Sequence, residues 1–576
     1  PDGPTWVANI VAATQDSGLY TWIPDSNAVD FGTHGLRIQV SLVQSPMVLD
    51  RSQEPFTVPE DGTLYWVDDL SNAGDEYTPG AIGDNRNTGK LASAPKPNPW
   101  NLFHTYDLQA GAVLNIDTGD YPMIWSLALS GSTDRGLGID EGFLMQGPNG
   151  ADVTATLFPI VPGERIWALI DLDDSDFVSL RNLDLRDAQR GLLAQNGSDD
   201  LDLDHIAAWG HAQEGIKADT SSVLKTWDDL LVHDNNNTGL WLDGPLGGLS
   251  NVVAYGNAGY GLYASGTLNS LVDSAFHHNS HGGAYLYYTG ATTVQSSSFH
   301  DNGYTGLAFT TSNAALVGSA NLGDGLGNLA WGNNQNGFEI SGPALVAGNT
   351  AWDNTYEGFY LNSAEARGNV AHANRRGIVV NSGNANANRV YDNTLEGIYS
   401  YYSSLDGNVA YSNATGLALY GNGTARGNLV YDNTSLGVLM SGGTANRFIG
   451  NTVYQTAGNA VTVQGGADNA TLLDNILWAL SGYGISVDSN SQDGFASDFN
   501  IFQGLYVGQW QGVTKTSLLS WRNAAFTDTD SLYTNPVFVD IDGADNVLGY
   551  VDAAQDGRDD DFHLQSPYGK IGRAHV

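Results

Sequence analysis

Short apolar–variable–apolar triplets recur along this chain, each opened by a glycine: Gly239-Leu-Trp-Leu, Gly306-Leu-Ala-Phe, Gly358-Phe-Tyr-Leu and Gly416-Leu-Ala-Leu. Alternation with period two describes a strand with one buried face. A second strand, as in Asn349-Thr-Ala-Trp or Asn428-Leu-Val-Tyr, precedes a further asparagine in each repeat. The opening glycine falls at 191, 215, 239, 261, 283, 306, 337, 358, 377, 397, 416, 437 and 484, with Ala460 in its place once. Steps of 19 to 24 residues, with one of 31, indicate a solenoid in which each repeat is one coil and stacked coils share one core. No repeat holds an amphipathic stretch long enough for a helix. The predicted fold is therefore all-β, a parallel β-helix of about fourteen coils.

Asparagine marks the turn of each coil. Asn235, Asn257, Asn279, Asn302, Asn333, Asn354, Asn374, Asn393, Asn413 and Asn433 each stand three or four residues before the glycine. The residue tolerates unusual backbone angles and binds nearby backbone groups. Stacked from coil to coil, these amides are expected to bond to one another as a ladder.

The combined motif is Asn-x-(Val/Ala)-(Tyr/His/Trp)-x-Asn followed by Gly-apolar-x-apolar. It resembles the repeat of right-handed parallel β-helix proteins, the pectin-lyase-like and periplasmic copper-binding-type group, over roughly residues 150 to 505. Residues 61–150 resemble the N-terminal cap and first coils of such proteins, through Ala81-Ile-Gly-Asp-Asn-Arg-Asn-Thr-Gly89 and Gly111-Ala-Val-Leu-Asn-Ile-Asp-Thr-Gly-Asp-Tyr121. The helix proper is expected over 151–505 and a closing segment over 506–569, where Asn535-Pro-Val-Phe-Val-Asp540 resembles the family's end. Residues 1–60 alternate like strands and resemble part of an Ig-like β-module. Residues 570–576 match the in-frame translation of a common sequencing adapter and are expected to be read-through. Together with the start at Pro1-Asp2-Gly3, this suggests a piece of a larger bacterial surface or secreted protein.

Composition narrows the function. A formal net charge of −40 disfavours nucleic acid, whose binding depends on Lys and Arg, and polyanionic glycans unless calcium bridges them. The absence of cysteine excludes a disulfide scaffold and thiolate-bound zinc. No apolar run is long enough for a membrane span. The setting expected is extracellular or at the cell surface.

Register turns single residues into columns, because equivalent positions on adjacent coils lie about 4.8 Å apart. Five or six residues before each glycine stand Trp209, His233, Tyr255, His277, His300, Trp331, Trp352, His372, Tyr391, Tyr411, Tyr431, Tyr454 and Trp478, predicted to point outward. Two residues after the glycine run Lys217, Trp241, Tyr263, Tyr285, Ala308, Glu339, Tyr360, Val379 and Tyr399. Aromatic faces in a line suit stacking on sugar rings. Trp241, Tyr263, Tyr285, Trp352 and Tyr360 are the candidate binding residues; mutual ring stacking or loop cover is the alternative. Glu357, Arg376 and Glu396 fall on three adjacent coils, either as an ion-pair ladder or, with Lys217, as catalytic acid, base and carboxylate-neutralising groups. Asp200, Asp202 and Asp204 share one strand face and are the candidate calcium ligands, with a solvated face as the alternative. His277, His278 and His281 form a candidate transition-metal or acid–base cluster. The alginate-epimerase signature Asp-Pro-His is absent, and so are the paired acids of polygalacturonases.

The leading expectation is a protein that engages polysaccharide along an exposed aromatic face. The alternatives are a polysaccharide lyase, less so a glycoside hydrolase, or a stalk without catalysis.

Overall fold

The computed structural model describes residues 39–42, 45–51 and 64–565, apart from 107, 109, 132–140, 151–153, 162–165 and 220–221. It is all-β, about 15 turns of parallel β-solenoid with very little helix. The chain divides into two compact units, Pro1–Ala212 with Ile216–Lys225, and Gln213–Gly215 with Thr226–Val576. The Ig-like module expected over 1–60 lies mostly outside the described residues. What is described there is one antiparallel pair, Gln39–Leu42 with Ser45–Arg51. Residues 570–576 also lie outside.

In the second unit each coil contributes one strand to each of three parallel sheets. Leu240–Leu242, Leu262–Ala264 and Ala284–Tyr287 follow the glycines and pair in the first sheet. Leu246–Ser250, Leu268–Val272 and Thr293–Gln295 pair in the second. Val253–Tyr255, Ala275–His277 and Ser298–His300 precede the turn asparagines and pair in the third. The middle strand is absent from the sequence reading. In later coils it is Glu365–Arg367 or Asn384–Asn386, a single inward alanine between polar residues, too short to show a period.

The inward triplet positions form the core. Leu240, Leu262, Phe276, Phe299, Phe338 and Phe359 are fully buried, and Phe276 stacks on Phe299 at 5.6 Å. The asparagine ladder is present. The Nδ2 group of Asn354 donates to Asn374 Oδ1 at 3.0 Å and to the Ala330 carbonyl at 3.1 Å, and its own Oδ1 accepts from Asn333 Nδ2 at 2.9 Å. Such amides are inside the fold yet satisfied, which a buried polar group requires. A second ladder, Asn328, Asn349, Asn369, Asn388, Asn408, Asn428 and Asn451, runs before the third sheet. The opening glycine is required by close approach: a Cβ at Gly358 would lie 2.8 Å from both Asn374 Nδ2 and the Gly377 carbonyl oxygen.

The first unit begins its stack at Leu64–Val67, which pairs with Val113–Ile116 and then Leu144–Gln146. A short helix, Pro99–Phe103, capped by the Asn98 side chain, buries Leu102 and Phe103. At the other end, helix Leu518–Ala525 buries Trp521, whose Nε1 donates to Asp528 at 2.7 Å. Beyond it, Phe538–Asp540 and Asp561–Leu564 pair antiparallel. This closing segment lies back along the third sheet, where Tyr391, Tyr411, Tyr431 and Tyr454 are buried with Phe538 and Phe562.

Candidate functional site

The third-sheet column is a continuous ring stack. His233, Tyr255, His277, His300, Trp331 and Trp352 follow one another with centroids 4.0–5.2 Å apart and planes within 9°. His372, Tyr391, Tyr411 and Tyr431 continue it. The latter part is covered: Tyr431 hydroxyl donates to the Gly557 carbonyl at 3.0 Å, Tyr411 hydroxyl to that of Asp556 at 2.5 Å, and Phe562 packs on Tyr431 at 4.8 Å. Trp352 is held between Trp331 and His372, with its faces taken by neighbours.

The first-sheet column behaves differently. Trp241, Tyr263 and Tyr285 occupy equivalent register positions and remain half-buried. Their centroids lie 4.5 and 5.7 Å apart with planes tilted by 34° and 61°, so the rings are splayed instead of stacked face to face. The turn before each glycine adds Tyr260, 5.6 Å from Tyr285, and His281, 5.6 Å from Tyr260. His281 stacks on Tyr304, while Tyr287 and Tyr288 extend the other edge. Tyr287, Tyr288 and Tyr304 are 42–55% exposed, so this aromatic surface is open. Polar groups border it: Trp241 Nε1 and Ser265 Oγ both donate to Asp243, at 2.8 and 2.9 Å. Burial, with Asp243 and Tyr287 nearby, raises the Tyr263 hydroxyl above its ordinary value, so it stays a neutral donor. Tyr360 lies beyond Ala308 and Glu339 in the same register, apart from the cluster. The turn residues Tyr260 and Tyr304 escaped the sequence reading, and His281 was read there only as part of a histidine cluster; their position one or two residues before the glycine was the available signal.

Glu357, Arg376 and Glu396 form the ion-pair ladder. Arg376 Nε donates to Glu396 at 2.6 Å and Nη1 to Glu357 at 3.1 Å; Arg375 adds a contact to Glu357 at 3.2 Å. Burial alone would lower the Arg376 guanidinium, but both glutamates raise it above its ordinary range. Lys217 is in the first unit on Ile216–Ala218, in register with Leu193. Asp202 and Asp204 share a face of Asp202–Trp209; Asp202 pairs with Arg181 at 3.4 Å and Asp204 with His205 at 2.5 Å. Asp200 stands before that strand in a left-handed conformation.

One other group of donors has the chemistry of a metal site. His277, His278 and His300 each present a ring nitrogen within 4.8 Å of the others, and the Nδ1 atoms of His277 and His278 are 2.9 Å apart. His281 does not join them, since its Nδ1 bonds to the Ala258 carbonyl. In the first unit, Asp68 is fully buried; burial and the charges of Asp75, Asp117 and Asp69 push its carboxyl up to about 7.

Among known families, the right-handed beta helix region matches residues 168–322 and 388–514, and the periplasmic copper-binding protein NosD matches 270–398. No curated protein matches the chain in sequence. Similar solved structures include the Azotobacter vinelandii mannuronan C-5 epimerase AlgE4 A-module, 15% identical over 74% of this chain and 91% of that one, with a TM-score of 0.27. The periplasmic alginate epimerase AlgG is 11% identical over 65% and 77%, with a TM-score of 0.26. Pectate lyase Pel9A is 13% identical over 88% and 92%, with a TM-score of 0.21. Across residues 168–514, this chain is thus similar to right-handed parallel β-helix repeat proteins, and it shares their parallel β-solenoid fold.

Proposed function

We propose that this protein engages polysaccharide through the aromatic surface built by Trp241, Tyr260, Tyr263, Tyr285, Tyr287 and Tyr304, outside the cytoplasm. The observation that carries the reading is that the Trp241, Tyr263 and Tyr285 rings are splayed beside the exposed Tyr287 and Tyr304, while the third-sheet rings are stacked or covered. Splayed rings leave faces for sugar C–H groups, and the Asp243 carboxylate and tyrosine hydroxyls supply hydrogen bonds to sugar hydroxyls. The acidic groups at this surface, Asp243 and Glu339, and the net charge of −40 favour a neutral glycan over a polyuronate. The periplasmic description of the family matched over 270–398 accords with an envelope or extracellular place.

Native gel retardation with a panel of neutral and uronate polysaccharides tests it. Retardation by at least one neutral glycan, lost in the triple variant Trp241→Ala, Tyr263→Ala, Tyr285→Ala, is expected. Retention unchanged in that variant would sink the proposal. A catalytic reading has less behind it, because Arg376 is held on both sides by Glu357 and Glu396.

A further inference from the structure

The first coils hold two carboxylates that the protein itself leaves unanswered. Val67 and Ile116 are register partners on adjacent parallel strands, and the Asp117 N–H donates to the Val67 carbonyl at 2.9 Å. The next residues on the two strands, Asp68 and Asp117, are therefore neighbours one strand spacing apart. Their side chains have opposite fates. Asp117 is saturated: Oδ1 accepts from the Glu76 and Thr118 N–H groups, each at 2.7 Å. Its Oδ2 accepts from Tyr77 N–H and Thr78 hydroxyl, each at 2.8 Å, and from Thr78 N–H. This fixes the turn that carries Asp75.

Asp68 has no exposed surface, and neither of its carboxylate oxygens has a hydrogen-bond partner among the described residues. Both oxygens of Asp75 are likewise buried and unpartnered, as is the Thr118 hydroxyl. The hydroxyl beside Asp68 belongs to Thr78 and has one proton, which goes to Asp117. The charged groups acting on Asp68 are Asp75, Asp117 and Asp69, all acids. The remaining nearby acids are satisfied: Asp69 accepts from Ser71 and Asp120 N–H, and Glu76 from Asn149 and Gly150 N–H. Lys96 Nζ is directed to the Asn85 carbonyl.

A buried charge without a partner costs several kcal/mol. Four such oxygens together are not relieved by protonating one carboxyl, which supplies a single donor. We propose that Asp68 and Asp75 hold a calcium ion in the first coils of the solenoid, with Asp117 ordering the turn that brings Asp75 to it. Calcium is favoured over magnesium because it accepts several carboxylate oxygens in flexible geometry, whereas magnesium retains its waters. The site belongs to the first unit and the aromatic surface to the second, and its ion is structural.

The test is calorimetric titration of the EGTA-treated protein with calcium chloride, alongside thermal melts with and without calcium. One calcium per chain and a melting temperature raised by several degrees are expected, with magnesium weaker. Asp75→Asn should weaken calcium roughly 100-fold or more, by removing a charged ligand. Asp68→Asn supplies a second, opposite-signed readout: in EGTA it should melt above the wild type, since it removes a buried charge, and in calcium below it. Absence of calcium heat in the EGTA-treated wild type would overturn the proposal. So would calcium affinity left unchanged by both variants, which would put the ion elsewhere.

Discussion

Two aromatic columns on one solenoid have opposite roles. In the third sheet, rings from Tyr391 to Tyr431 stack within 12° of parallel and are sealed by the closing segment. In the first sheet, Trp241, Tyr263 and Tyr285 tilt away from one another and stay half-buried, beside the exposed Tyr287, Tyr288 and Tyr304. Residue type is the same in both; what differs is whether the ring faces are already occupied. A line of aromatics at coil spacing is therefore not a binding signature until ring tilt and cover are known.

The largest effect that separates the two should come from the covered column. Tyr431 is 1% exposed, so Tyr431→Ala, or Phe562→Ala at its cover, is expected to cost about 3–5 kcal/mol in urea denaturation. Tyr288, at 55% exposure in the open surface, should lose no more than about 0.5 kcal/mol when changed to alanine. Equal losses would erase the distinction. The asparagine ladder lies between these in size. Asn354→Ala breaks bonds to Asn333, Asn374 and the Ala330 carbonyl, but Asn333 Nδ2 still donates to the Phe299 carbonyl and Asn374 Oδ1 still accepts from the N–H of residue 354, so about 1–3 kcal/mol in all is expected, with the Ala330 carbonyl among the groups left unpaired. The same denaturation series would measure it. Binding should show the reverse ranking. Single alanines at Trp241, Tyr263 or Tyr285 should weaken glycan retention roughly 2- to 10-fold each, and Tyr411→Ala should leave any still-folded protein's retention unchanged.

The fold was legible because the solenoid repeats its constraints. Gly358 must be glycine for the approach of Asn374 and Gly377, and the same need recurs on coil after coil from Gly239 to Gly416, so a period emerges. The middle strand was not legible, because Asn384–Asn386 carries one inward alanine and no alternation. At the site, register arithmetic placed Trp241, Tyr263 and Tyr285 in one column, as found. It could not separate them from the third-sheet rings, because the cover comes from Tyr550 and Phe562, more than 100 residues away from Tyr391, Tyr411 and Tyr431. Nor could it single out Asp68, whose oxygens differ from those of Asp117 only in having no donors.

Acid gives the smallest effect, and its sign differs between the open and covered stretches. His277 lies in the uncovered part of the ring stack, where burial and then His300 and His278 lower its pKa below the ordinary 6.5. The unfolded chain takes up that proton first, so the stability contributed by neutral His277 is present above 6.5 and lost as pH falls below it. Asp560 belongs to the closing segment itself, with Gly549 N–H donating to it at 2.9 Å. Burial, with Asp559 and Asp545, raises its carboxyl from 3.8 to about 6. The folded state then holds a proton that the unfolded chain has released, so stability rises as pH falls from 6 towards 3.8. His372, also lowered by burial, opposes this at the edge of the cover. Between pH 7 and pH 5 the stretch around Phe276 and His277 should open more readily and the stretch around Tyr431 and Asp432 less so. Hydrogen exchange at the two pH values, corrected for the intrinsic rate, reads both stretches in one sample. Movement in the same direction at both would mean that the closing segment and the open rings belong to one cooperative unit, and that cover does not set their local stability.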